Sequence, residues 1–254
     1  MRMRVLVLGG TTEAATLAGL LAHREDIDTM LSLAGRTSAP VRPPVPYRIG
    51  GFGGVAGLVA FLRDNAIDAL VDATHPFATQ MSAHAVQACR ESGTPLLVLG
   101  RPAWQAGAGD CWTEVANAAE AARALGTEPR TVFLTVGRLS LPAFVAAPQH
   151  RYVVRSIDRP EGLDALPSHR LVLARGPFDL AAERALMREE EVDVVVTKNS
   201  GGAATGAKLA AARELGLPVV VIRRPAASGA PEVHDPQAAL AWLDTLLGAH
   251  RAPP

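Results

Sequence analysis

A chain of 254 residues with 48% hydrophobic and 20% charged side chains can bury a sizeable core, which excludes disorder and allows one large or two ordinary domains. Its 25 basic residues balance its 25 acidic ones, which argues against a general binder of nucleic acid or membrane surfaces. Cys89 and Cys111 form neither a disulfide framework nor a metal-ligand spacing, so two free thiols, a reducing compartment and no metal site are expected.

The chain opens on Met1-Arg2-Met3-Arg4 and the apolar run Val5-Leu6-Val7-Leu8. That run ends at Gly9-Gly10, too short for a signal-peptide core, and no run reaches membrane-span length. It reads as a first buried strand of a cytoplasmic protein. Strands are expected at 4–8, 29–33, 47–49, 69–72 and 96–99, with helices at 12–23, 55–65 and 78–92, Pro76 being placed to begin the last. Such β-α alternation implies a parallel sheet covered on both faces. Near Arg101-Pro102 the pattern loosens through Gly107, Gly109 and Asp110, and then restarts. Further strands are expected at 131–136, 152–156, 171–174, 193–197 and 219–222, with helices at 116–125, 180–190, 203–215 and 236–247. The expected fold is α/β: two doubly wound, Rossmann-like parallel-sheet lobes with a cleft between them. Residues 1–103 form a nucleotide-binding domain, and residues 104–254 a second α/β domain contributing to substrate binding.

Ligands of such sheets bind beyond the carboxyl ends of the strands, so those ends carry the functional question. Gly9-Gly10-Thr11-Thr12-Glu13 joins the first strand to a helix through glycines that let a phosphate approach the helix N–H groups. The match to G-x-G-x-x-G is imperfect, and a plain tight turn is the alternative. Glu13 favours the positive helix end or reaches a ribose. At the end of the second strand, Ala34-Gly35-Arg36-Thr37-Ser38 lacks the carboxylate that holds a ribose 2′-hydroxyl. Arg36 suits a 2′-phosphate there, with Thr37 as an added donor, unless it is a solvated loop arginine. Together with the glycine turn, this favours NADPH as cofactor. Gly50-Gly51-Phe52-Gly53-Gly54 either passes beneath that cofactor through Gly51 and Gly53 or serves as a hinge. His75, leaving the fourth strand, is a phosphate donor, an acid near the nicotinamide, or a structural histidine.

Later strands end next to cations: Arg101, Arg138, Arg155, Arg175, Lys198 and Arg223-Arg224. A neutral protein that collects them at one edge faces a polyanion, a phosphorylated or polycarboxylate substrate, although some must pair with nearby acids. In Lys198-Asn199-Ser200-Gly201-Gly202 the turn exposes N–H groups to an anion and Lys198 can pair with a carboxylate. No Walker A order, serine nucleophile elbow or zinc-spaced histidine pair is present.

Four segments, Gly9-Gly10-Thr11-Thr12-Glu13-Ala14, Asp72-Ala73-Thr74-His75-Pro76-Phe77-Ala78, Thr135-Val136-Gly137-Arg138 and Thr197-Lys198-Asn199-Ser200-Gly201-Gly202, resemble the precorrin-6A reductase family of cobalamin biosynthesis in order and spacing. The resemblance covers nearly the whole chain, and the His-Pro-Phe-Ala and Lys-Asn-Ser-Gly segments are its specific parts. It implies NADPH-dependent reduction of one double bond of the precorrin-6A macrocycle to give precorrin-6B. It also implies a cofactor lined by Gly9 to Glu13, Arg36, Thr37 and His75. Arg138 and Lys198 to Gly202 would face the substrate or the nicotinamide, with His75 and Lys198 as candidate proton donors. Partners would be the tetrapyrrole and, transiently, neighbouring pathway enzymes. The cobalt-containing substrate of the anaerobic pathway, another NADPH reductase of a polyanionic metabolite and a non-catalytic NADPH sensor are the alternatives; a nucleoside-diphosphate-sugar enzyme explains the cations less well.

Overall fold

The structure is a computed structural model that describes residues 2–35 and 42–251. In chain order the elements are β1 (Met3–Leu8), α1 (Thr12–Leu21), β2 (Ile27–Leu33), β3 (Tyr47–Ile49), α2 (Gly54–Asp64), β4 (Ala69–Asp72), α3 (Thr79–Ser92) and β5 (Leu96–Leu99). They continue as β6 (Cys111–Val115), α4 (Ala118–Ala124), β7 (Thr131–Thr135), β8 (Arg151–Ser156), β9 (His169–Leu173), α5 (Leu180–Glu189), β10 (Val194–Lys198), α6 (Ala207–Glu214), β11 (Pro218–Ile222), β12 (Glu232–Val233) and α7 (Pro236–Arg251). A 3-10 segment, Arg138–Ala146, lies between β7 and β8. The two expected α/β lobes are present. One unit comprises Met1–Pro102 and Pro225–Pro254, the other Ala103–Arg224.

The first unit holds a six-stranded sheet in the order β12-β5-β4-β1-β2-β3, every pairing parallel. Val5, Leu6, Val7, Leu70 and Val71 are fully buried, as strands covered on both faces require. Here the sequence-based boundary needs correction, because residues 225–254 return to the first unit instead of completing the second. β12 extends the sheet beyond β5, covering what would be an open edge. Ala239, Leu243 and Leu247 of α7, spaced four apart, join a core with Leu17 and Leu21 of α1. Arg24 bonds Asp244 at 2.7 Å. Periodicity predicts such a helix but not which sheet it covers.

The second unit holds the order β6-β11-β10-β7-β8-β9, again parallel throughout. β6 was not expected, since Cys111-Trp112-Thr113-Glu114-Val115 is a mostly exposed edge strand without a continuous apolar run. Pro142 inside the 3-10 segment removes an N–H donor and disfavours an α-helix there. That segment is anchored from below: Leu141 and Phe144 are buried, and the Tyr152 hydroxyl donates to the carbonyls of Ala147 (2.8 Å) and Phe144 (3.3 Å). The glycine-rich stretch before β6 is pinned by Asp110, which accepts from Gly107 N at 2.7 Å and from Arg213 at 2.9 and 2.8 Å. The Arg213 guanidinium holds the Asp110 carboxyl below its usual range.

Two groups outside the strand ends give measurable signatures. His150 is 1% exposed and its Nδ1 has no partner among the described residues. Burial lowers its pKa from the ordinary 6.5, so the unfolded chain takes up a proton first as pH falls. The stabilisation is complete above about pH 6.5 and declines as pH falls from there toward the folded value. Urea midpoints measured between pH 8 and 5 should fall below pH 6.5, and His150→Phe should flatten that slope. The cysteines differ likewise. Cys89 is buried and its thiol is pushed up to about 12, first by burial and then by Asp72. Cys111 is exposed on an edge strand. An aromatic disulfide reagent should therefore titrate one thiol in the native protein and two in urea, and Cys111→Ser should abolish the native signal.

Candidate functional site

In the first sheet the strand order reverses between β1 and β4, because the chain runs outward through β2 and β3 and then returns to the other side of β1. That is where an α/β sheet opens a crevice at its carboxyl edge. Leu8 and Asp72 are register partners there, so the Gly9–Glu13 turn and the Asp72–Ala78 turn leave adjacent strands side by side. Thr11 joins them. Its hydroxyl accepts from Ala14 N at 3.1 Å, capping α1, and donates to Ala73 O at 2.8 Å. Gly9 is a packing glycine, since a Cβ would lie 2.7 Å from the Leu31 side chain. Gly10, at φ +117°, would point a Cβ into open space. The first amides of α1, those of Thr12 and Glu13, have no intrahelical acceptor.

The second turn is built around a buried carboxylate. Asp72 accepts from Thr74 N (3.1 Å) and Thr74 Oγ1 (2.7 Å), which fixes the direction in which the chain leaves β4. Phe77 N then donates to His75 Nδ1 at 3.2 Å, so a neutral ring carries its proton on Nε2. Ala78 N closes the turn on His75 O at 2.7 Å, and the helix begins at Thr79, three residues beyond Pro76.

Sequence reasoning missed Arg48 of β3. Its guanidinium donates to Ser32 Oγ (3.0 Å), Gly50 O (2.9 Å) and Gly51 O (2.9 Å) and lies 4.1 Å from the centre of the Phe52 ring. Gly50–Gly54 is thus a stapled loop, which argues against the hinge reading. A Cβ at Gly51 or Gly53 would meet nothing within 4 Å, and Gly53 has φ +82°. Glu13 is engaged by Arg101 at 2.9 Å, with 18% and 12% of their side chains exposed, so it ties α1 to the end of β5 rather than offering a free ribose acceptor. Arg36 and Thr37 lie outside the described residues.

The second sheet reverses its order between β7 and β10. Thr135 and Thr197 are register partners, and Thr135 Oγ1 donates to Val196 O at 3.1 Å. Thr135–Arg138 and Thr197–Gly202 therefore also leave adjacent strands together. Each unit brings two of the four recognised motifs to its own switch point. Gly201 and Gly202 adopt positive φ, 68° and 76°.

Within Lys198–Gly202 the roles separate. Asn199 is 7% exposed, and its amide is engaged with a backbone: Oδ1 accepts from Trp104 N (2.8 Å) and Nδ2 donates to Trp104 O (2.9 Å). It positions the turn rather than presenting its amide to a ligand. Trp104, also missed from sequence, donates through Nε1 to Gly202 O at 2.9 Å, and its ring lies 4.6 Å from Lys208 Nζ. Arg224 donates to the carbonyls of Asn199 and Ser200, both at 2.8 Å. Ser200 N bonds Lys198 O at 2.7 Å.

The strand-end cations divide as well. Arg101 pairs with Glu13, Arg155 pairs with Glu183 in the interior, and Arg224 binds carbonyls. Arg138 and Arg223 are exposed, and neither has a side-chain hydrogen bond or ion pair among the described residues.

Among the described residues no helix is long and apolar enough to cross a membrane, and no cluster of three or more His, Cys, Asp or Glu could hold a metal ion. The family model described as "Precorrin-6x reductase CbiJ/CobK" matches residues 4–244. A precorrin-6A reductase of Rhodobacter capsulatus is 50% identical over 240 residues, covering 94% of this chain and 95% of the relative. One from Mycobacterium tuberculosis is 45% identical over 244 residues, covering 96% and 98%. A cobalt-precorrin-6A reductase of Priestia megaterium is 30% identical over 233 residues, covering 87% and 90%. The solved structure of a CobK precorrin-6A reductase superposes with a TM-score of 0.92 at 50% identity, covering 96% of this chain and 97% of that one. With four motifs at two switch points and a family match from end to end, the chain belongs to the precorrin-6x reductase CbiJ/CobK family.

Proposed function

We propose that this protein is an NADPH-dependent precorrin-6A reductase of cobalamin biosynthesis that reduces one double bond of the macrocycle to give precorrin-6B. The observation that carries the reading is the 45–50% identity, over nearly full length, to relatives named precorrin-6A reductase. Relatives named for the cobalt-containing substrate are at 29–31%. This favours the metal-free substrate; the cobalt complex is the second reading.

The first unit suits the dinucleotide. Gly10, Gly51 and Gly53 have open space where a side chain would stand, and the capped start of α1 offers free amides to a pyrophosphate. Arg36 and Thr37 would take the 2′-phosphate. Bound NADPH supplies the hydride. His75 and Lys198 are the two candidate proton donors, and Phe77 N on His75 Nδ1 fixes the orientation of the imidazole ring. In the second unit Arg138, Lys198 and the Gly201 and Gly202 amides would take the substrate's acetate and propionate arms, while Asn199 and the Ser200 N bond to Lys198 O hold their turn in place. The enzyme would act in the cytoplasm, exchanging substrate and product with neighbouring pathway enzymes through transient contacts.

Anaerobic incubation of purified protein with precorrin-6A and NADPH tests this. Nicotinamide absorbance should fall as the macrocycle gains the mass of two hydrogens. Turnover of the cobalt complex alone would favour the second reading, and NADPH binding without turnover of either would favour a sensor.

A further inference from the structure

We propose that the carboxyl ends of β7, β8 and β9 form an apolar platform on which one face of the tetrapyrrole ring rests, with Leu139, Ile157 and Leu173 as its floor. The proposal rests on the tetrapyrrole reading above and assigns residues that none of the four motifs contains. Leu139 is 68% exposed, Ile157 44% and Leu173 59%. Single exposed aliphatics are ordinary, but three large ones at the ends of three adjacent strands are not scattered. Leu173 is the register partner of Ser156, Ile157 follows Ser156, and Leu139 follows the turn that leaves β7. β7 and β9 lie two strand spacings apart, about 10 Å, the scale of a four-pyrrole ring rather than of a single side chain.

Charge complementarity identifies the occupant. A precorrin is an apolar disc with carboxylates on its rim. Arg138 precedes Leu139 and has no side-chain hydrogen bond or ion pair among the described residues, while Arg175 lies exposed two residues beyond Leu173. Aliphatic floor and guanidinium rim therefore meet the two chemistries of one ligand. The floor is also rigid enough to orient it: Tyr152 holds the segment carrying Leu139 through two carbonyls, and Leu141 and Phe144 bury its inner face.

The test uses the full chain with Leu139→Ser, Ile157→Ser and Leu173→Ser, singly and together. Binding of precorrin-6A is read by equilibrium dialysis from the pigment's absorbance, NADPH binding by nicotinamide fluorescence, and association state by sedimentation. Each single change should weaken precorrin-6A binding about 5- to 10-fold and the triple change about 100-fold or more, by loss of apolar contact. NADPH affinity, thermal midpoint and association state should not change, since all three side chains are exposed. Unchanged precorrin-6A affinity in the triple variant overturns the platform. It is equally overturned if the triple variant loses self-association while its precorrin-6A affinity stays intact, because the patch is then a contact between copies. A wild-type protein that neither binds nor reduces precorrin-6A defeats the underlying reading, a result recognisable before any variant is made.

Discussion

Glu183→Leu should destabilise the second unit by about 3–5 kcal/mol, whereas Arg155→Met combined with Glu183→Leu should leave it within about 2 kcal/mol of wild type or make it more stable. Arg155 and Glu183 form an ion pair with only 6% and 3% of their side chains exposed. The guanidinium lies 3.8 Å from the ring centre of Phe178 and 4.9 Å from that of Phe133. Burial lowers the Arg155 pKa, and the charge and hydrogen bond of Glu183 oppose that shift. Removing the carboxylate alone strands a cation that cannot deprotonate near neutral pH. Removing both replaces a costly desolvated pair with apolar volume, and Glu183 Oε2 already lacks a hydrogen-bond partner among the described residues. Guanidinium unfolding curves followed by circular dichroism separate the cases. A Glu183→Leu loss below about 1 kcal/mol would show that water reaches the guanidinium.

The same pair shows where a sequence can mislead. Arg155 ends a strand just as Arg138 does, and a list of strand-end cations treats them alike. What separates them is a helix that begins 25 residues later and places Glu183 against one guanidinium, while the other has no partner among the described residues. Local chemistry was legible wherever a turn is set by its own residues. A buried Val-Leu-Val-Leu strand entering Gly-Gly-Thr-Thr-Glu declares the β1–α1 turn, and Asp72-Ala73-Thr74 declares its neighbour. Alternation and handedness also made two parallel sheets legible, whereas the strand order and both switch points came from the structure. Non-local partnerships were not legible. Arg48 staples the glycine loop through carbonyls and a serine 16 residues upstream. Trp104 meets Asn199 across 95 residues. α7 belongs to a sheet begun at the other end of the chain. In none of these does spacing or composition mark the partner.

Replacing Arg36 with alanine should weaken NADPH binding about 30- to 150-fold while changing NADH binding less than about threefold. The range follows from the roughly 2–3 kcal/mol that a charge-assisted hydrogen bond to a phosphate contributes. The only chemical difference between the two cofactors is the 2′-phosphate, so the ratio of losses isolates that group from any general damage to the fold. The described end of β2 supports the assignment by what it presents. Leu33-Ala34-Gly35 brings no carboxylate to a ribose 2′-hydroxyl, and Ser32 Oγ is engaged by Arg48. Arg36 is the first residue after Gly35 to carry a fixed charge, which is why it is the one to test. Arg48→Met is the informative contrast. It frees the Gly50–Gly54 loop and leaves residue 36 unchanged, so NADPH and NADH affinities should fall together, by about the same factor. Parallel losses in Arg36→Ala, measured by nicotinamide fluorescence at fixed ionic strength, would remove the 2′-phosphate role and leave discrimination to another residue.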